Sequence, residues 1–178
     1  MLEILALTDI KKEEKDRVLK ASEEIFFLSS SVKEFASPEK KEAFYKRWCR
    51  DYQEVYPEEF FVVLEGKKVL GYLSGCSKTI EGLSVLSVPG VLTFEDLYEK
   101  FPAHLHINFH PDARGKGLGS QLIRHYIAYL KKRKVRGLHL ITSPGAQNVS
   151  FYERLGFNEI VVREFKNSPL QFMGLMLE

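Results

Sequence analysis

The stretch from His104 to Leu130 constrains the fold more than any other part of the chain. A strand of alternating character, His104 to His110, runs into Arg114-Gly115-Lys116-Gly117-Leu118-Gly119-Ser120. A helix follows with Leu118, Leu122, Ile123, Tyr126, Ile127 and Leu130 on one face. The apolar period changes from two to 3.6 across the glycines, so sheet must give way to helix within a few residues. Glycine takes positive φ there without steric cost and lets backbone N–H groups approach an anion. The first helical turn adds its own unpaired N–H groups. Arg114 and Lys116 bring positive charge to the same place. Taken alone, such a unit either seats a pyrophosphate or merely connects a strand to a helix. Its spacing, R-x-x-G-x-G, differs from the Walker pattern. With glycines at 115, 117 and 119 and Leu122 beyond them, it also differs from the dinucleotide fingerprint.

The remaining chain reads as α/β. Leu2 to Leu7 is a first strand, and Ile10 to Leu28 a helix with Val18, Leu19, Ser22, Ile25 and Phe26 on one face. Ser37 caps a second helix with Pro38 at its first position, running to about Tyr52. Phe60 to Glu65 and Lys68 to Ser77 form a hairpin around Gly66-Lys67. Residues 78–102 break the rhythm as a long insertion, with a short helix predicted from Thr93 to Phe101. After the glycine loop and its helix come a strand, Leu138 to Thr142, and a short helix capped by Ser143 with Pro144 at its first position. Gly156 closes that helix, and strands Asn158 to Phe165 and Gln171 to Leu177 follow. The predicted fold is one mixed, twisted sheet covered by helices on both faces.

The order of strand, R-x-x-G-x-G, helix, strand, helix, Phe151-Tyr152-Glu153-Arg154-Leu155-Gly156-Phe157 and strand resembles the GNAT superfamily of acetyl-CoA-dependent N-acetyltransferases. The resemblance is strongest over about residues 104–160. It implies a single domain over residues 1–178, with the 78–102 insertion bordering the acceptor site. It also implies that Arg114, Gly115, Lys116, Gly117, Leu118, Gly119 and Ser120 hold the diphosphate of acetyl-CoA. Backbone groups of Ile107, Asn108 and Phe109 would then meet the pantetheine arm and polarise the acetyl carbonyl. Tyr152 aligns with the tyrosine that protonates the departing thiolate, and a neutral phenol suits that task. The family often has an asparagine seven residues before this tyrosine, where this chain has Gly145. Asn148, four residues before Tyr152, shares its helical face. It either takes over that coenzyme contact or is a solvated turn residue. A narrower likeness, to the acetyltransferase-like domain found with O-GlcNAc hydrolases and its bacterial relatives, rests on Phe101-Pro102-Ala103-His104-Leu105-His106-Ile107.

Direct transfer needs a group to take the proton of the attacking amine. His104, His106, Asn108 and His110 share one face of their strand, opposite the apolar row Leu105, Ile107 and Phe109. A histidine titrates in the useful range, so His106 is the expected base, with His104 behind it. Both also fit a structural role. No cysteine or carboxylate stands near them in sequence, so no metal is expected.

The run Lys131-Lys132-Arg133-Lys134 with Arg136 invites a nucleic-acid reading. It also ends a helix, where cations meet the dipole favourably, and it is placed to touch the 3′-phosphate of coenzyme A. The 178 residues carry a net charge of +2, which gives no field for nucleic acid or an anionic membrane. No apolar run reaches the roughly 20 residues that span a bilayer. Two cysteines make no disulfide framework, so a cytoplasmic protein is expected. Its partners would be a small-molecule or peptide amine, with the chain a monomer or homodimer. The alternative is a catalytically weak acetyl-CoA-binding module acting as a sensor or partner domain.

Overall fold

A computed structural model describes residues 1–177. The elements in chain order are β1 (Leu2–Ala6), α1 (Lys12–Ser29), α2 (Pro38–Tyr45), α3 (Asp51–Val55), β2 (Phe60–Glu65), β3 (Lys68–Cys76) and α4 (Thr79–Gly82). They continue as β4 (Ala103–Phe109), α5 (Leu118–Lys132), β5 (Gly137–Thr142), α6 (Val149–Glu153), β6 (Glu159–Phe165) and β7 (Ser168–Met176). The strands form a mixed seven-stranded sheet in the order β1-β2-β3-β4-β5-β7-β6. The α/β class read from the sequence is what the chain adopts. Two compact units are distinguished, one of Met1–Gly75 with His106–Tyr126, the other of Cys76–Leu105 with the chain from Ile127 on.

In the first unit β1 pairs antiparallel with β2, from Leu2↔Glu65 to Ala6↔Phe61, and β2 with β3, with a register shift between Val63 and Leu64. Val18, Ile25 and Phe26 of α1, Phe60 and Val62 of β2, and Leu122, Ile123 and Tyr126 of α5 are buried. Gly71 is required by packing, because a Cβ there would lie 2.3 Å from the Phe109 ring. Ser37 caps α2 as predicted, its Oγ accepting the Lys40 N–H at 3.3 Å with Pro38 in the first turn. The helix does not run evenly to Tyr52. After Tyr45 it widens into a π turn, Lys46–Arg50, before α3 resumes, and the Asp51 N–H donates to the Lys46 carbonyl five residues back.

In the second unit β4 and β5 are parallel through Ala103↔Leu138 and His104↔His139, while β7 runs antiparallel to β5 and β6. The β6–β7 turn places Lys166 and Asn167 at φ of 49° and 60°, the left-handed pair that a two-residue hairpin uses. The 78–102 segment is not a surface excursion. Val91, Phe94, Tyr98 and Phe101 join Phe172 in a buried cluster. The predicted helix Thr93–Phe101 is a 3₁₀ segment, Val91–Leu97, that starts earlier, after Gly90 at φ 77°. The helix expected from Ser143 is shorter still. Ser143 does not cap it, and Gly145 sits in the preceding turn at φ 73°, a backbone a helix cannot continue. Only Val149–Glu153 is helical, and Gly156 at φ 95° closes it as expected.

Candidate active site

The glycine loop lies in the first unit. Gly115 and Gly117 take φ of 73° and 74°. A Cβ at either would meet open space, so backbone conformation rather than crowding selects glycine. The loop leads into the fifteen-residue α5, whose first free backbone donors belong to Leu118, Gly119 and Ser120. Arg114 to Gly117 are exposed, Leu118 is buried, and Gly119 and Ser120 are half-buried. This cradle fits a diphosphate in backbone and in charge. Arg114 also braces it: its Nε donates to the Phe109 carbonyl at 3.2 Å and its terminal nitrogen to Ser29 Oγ at 3.1 Å. The end of β4 and the end of α1 are thereby tied to the loop. That bracing was not legible in the sequence.

The even row of β4 divides between two environments. His104 is buried, and its Nδ1 is 2.8 Å from Thr79 Oγ1 in the second unit. It is a core histidine there. His106, half-buried in the first unit, has its Nε2 hydrogen-bonded to Tyr52 Oη at 3.0 Å, and the Trp48 ring meets it edge-on at 5.4 Å. Burial pushes the imidazole down to about 4, so it is neutral at physiological pH. Asn108 Nδ2 donates to Tyr72 Oη at 3.0 Å. Tyr72 is fully buried beside the Cys49 thiol, and desolvation drives its phenol far above the ordinary range. His110 lies outside this group, its Nδ1 accepting the Asp112 N–H at 3.3 Å.

Phe26, Ser30, Ser31, Val32, Phe44, Trp48, His106 and Asn108 line a cavity of about 330 Å³ that opens to solvent, with Ser31 and Val32 exposed at its rim. The end of α1, the segment after it, α2 and the π turn therefore border this cavity together with His106 and Asn108 of β4. Tyr52 and Tyr72, which fix His106 and Asn108, could not be found from spacing. They come from α3 and β3, far away in sequence.

Tyr152 stands in the second unit on α6, with 6% of its surface exposed. Phe151 and Phe157 meet its ring edge-on at 5.1 and 5.7 Å. Burial pushes its phenol up to about 12, and the Asn148 side chain opposes that shift through a hydrogen bond. Asn148, the residue just before the helix, has its Oδ1 accepting from Thr142 Oγ1 at 3.3 Å and its carbonyl accepting the Tyr152 N–H at 3.2 Å. The basic run ends α5. Arg133 stacks on the Tyr129 ring at 3.6 Å, and Lys134 at φ 57° turns the chain. Among the described residues no group of three or more histidine, cysteine or acidic side chains is placed to hold a metal, and no helix is long and apolar enough to cross a membrane.

Comparison with known proteins bears on the family and the fold. The family model described as the acetyltransferase (GNAT) family matches residues 23–157. The [ribosomal protein bS18]-alanine N-acetyltransferase of Escherichia coli (strain K12) is 43% identical over 54 residues, 30% of this chain. That match spans only 36% of the relative's length. Among solved structures, the one titled SsHAT superposes with a TM-score of 0.76 at 19% identity, covering 99% of this chain and 98% of its own. The ribosomal-protein-S18-alanine N-acetyltransferase of Escherichia coli superposes with a TM-score of 0.59 at 19% identity, over 100% of this chain and 95% of its own.

Proposed function

The chain belongs to the acetyltransferase (GNAT) family, and from that premise we propose that it moves an acetyl group from acetyl-CoA to a primary amine by direct attack in a ternary complex. The observation that carries this reading is the loop Arg114–Ser120: two left-handed glycines deliver the backbone to the start of α5 with two cations beside it. Acetyl-CoA supplies the thioester whose carbonyl the amine attacks. The Arg114–Ser120 backbone holds its diphosphate, and Ile107, Asn108 and Phe109 orient the pantetheine arm and polarise the carbonyl through backbone groups.

Tyr152 holds its proton at Oη at every ordinary pH and releases it to the departing sulfur, with Asn148 steadying the phenol. His106, neutral and fixed by Tyr52, receives the amine proton as the new C–N bond forms. Its lowering to about 4 takes it out of the range that recommended it and makes it a weaker base than an ordinary imidazole. Exchange with solvent then returns a proton to Tyr152. The protein acts in the cytoplasm, in keeping with Cys49 and Cys76, both buried free thiols. The name of the bS18-alanine relative supports an amine acceptor. A second reading, an acetyl-CoA-binding module without efficient transfer, draws on Gly145, which replaces the family's asparagine with a left-handed turn.

Two measurements decide between them. Acetyl-CoA at about 100 times its Kd adds about 2.7 kcal/mol to the stability of a chain that binds it. At about 2–4 °C per kcal/mol for a chain of this size, the melting temperature rises by roughly 5–10 °C. No shift refutes both readings. Thiol release with an amine panel then separates enzyme from module. Tyr152→Phe should cut kcat by about 10²–10⁴ while leaving the thermal shift in place; an unchanged kcat removes Tyr152 as the acid.

A further inference from the structure

The walls of the cavity around His106 are apolar or aromatic except at a few defined atoms. Phe26 and Phe44 lie with ring centroids 5.4 Å apart, and Trp48 stands edge-on to His106. Val32 completes the apolar surface, and Ser30 and Ser31 provide hydroxyls, Ser30 Oγ already accepting the Val32 N–H. None of the eight lining residues is Asp, Glu, Lys or Arg. His106, the one titratable group among them, is held neutral by burial.

Asn108 is the oriented polar group. Its Nδ2 is committed to Tyr72, which is itself fixed by burial beside Cys49. The amide is therefore set with its carbonyl oxygen left to accept. An amine offers hydrogens to such an oxygen. A second ammonium on the same molecule would enter with no carboxylate to meet it, and attraction to ring faces does not offset the desolvation of an ion. A carboxylate would enter with no cation. A hydroxyl-rich body would give up water for too few partners. The volume is at the small end of ligand cavities.

Building on the reading of this chain as an acetyltransferase, we propose that its acceptor is a small primary amine on an aromatic or aliphatic body without a second charge, and that Asn108 Oδ1 receives a hydrogen of that amine. Asn108 is thus a specificity-determining residue beyond its backbone role.

The test compares kcat/KM for 2-phenylethylamine and hexylamine with that for 1,6-diaminohexane, glucosamine, phenylalanine and a short alanine-initiated peptide. The two apolar monoamines should exceed each of the others at least tenfold. Equal or better use of the diamine, the sugar, the amino acid or the peptide overturns the proposal. If no amine turns over, the same ranking is read from calorimetric binding to the chain loaded with coenzyme A, and the same orders support or overturn it. Phe44→Asp should move the ratio toward 1,6-diaminohexane by tenfold or more, and an unmoved ratio counts against the wall. Asn108→Ala should raise KM for the amine at least tenfold with KM for acetyl-CoA within twofold; parallel changes in both, or in neither, remove the Asn108 assignment. The acetyl-CoA thermal shift is measured on every variant. Its absence in the unaltered chain refutes the acetyltransferase reading, whereas its presence with the wrong ranking refutes only the acceptor class.

Discussion

At the scale of single residues, two histidines two positions apart on one strand show what sequence reading can and cannot supply. Alternation placed His104 and His106 on the same face of β4, and it was right about that. The partners decide their roles, and these come from distant segments: Thr79 takes His104 into a core, whereas Tyr52 and Trp48 hold His106 at a cavity. The same burial makes a stability prediction. The imidazole titrates at about 4 in the fold against 6.5 in the unfolded chain. Between those values the unfolded chain binds a proton that the folded chain refuses, so stability falls as pH drops from 6.5 toward 4. The loss is about 3 kcal/mol when complete. Denaturant titrations of the unaltered protein and of His106→Asn should differ in slope across that window, the variant being flatter. Identical profiles would mean that His106 is not desolvated. Tyr152, titrating near 12, adds no falling limb to the rate at ordinary pH.

At the scale of elements, the strands and long helices were legible because each repeats its signal over several residues. The Ser37–Pro38 helix start, the Gly66 hairpin and the Gly156 stop each carry a local backbone demand, and each is legible in the sequence. Ser37→Ala should lower stability by about 1 kcal/mol, read in the denaturation midpoint. The short elements were not legible. Ser143-Pro144 has the composition of a helix start, but Gly145 turns the chain away before a second residue can follow. Packing adds a demand that no local pattern carries. Gly71→Ala drives a methyl into the Phe109 ring and should cost about 1–3 kcal/mol. Phe109→Leu in the same chain should recover part of that loss, and strict additivity in the double-mutant cycle would show that the two do not meet.

At the scale of the whole molecule, the α/β class and the glycine loop are legible in the sequence, while the cavity beside His106 is not. The loop is contiguous, whereas the cavity is assembled from α1, the segment after it, α2, the π turn and β4. Segment 78–102 was legible as irregular, and its buried aromatic cluster explains its length. The basic run at the end of α5 reads as helix termination, with Arg133 on Tyr129. Lys132→Glu with Arg133→Glu should therefore leave kcat within about threefold, and loss of turnover with an intact fold would give the run a direct role. The π turn has one further consequence, for how such a chain can diverge. Lys46–Arg50 holds one residue more than an unbroken α-helix would need. A π turn spends about five residues on the rotation that four make in an α-helix, so the extra residue is absorbed inside the turn and the stretches on either side keep their faces. Deleting one residue there restores a continuous helix with Phe44 still directed as before, and changes which side chain stands at the position of Trp48. Deletion at this one point, rather than substitution, is an abrupt route to a changed cavity wall.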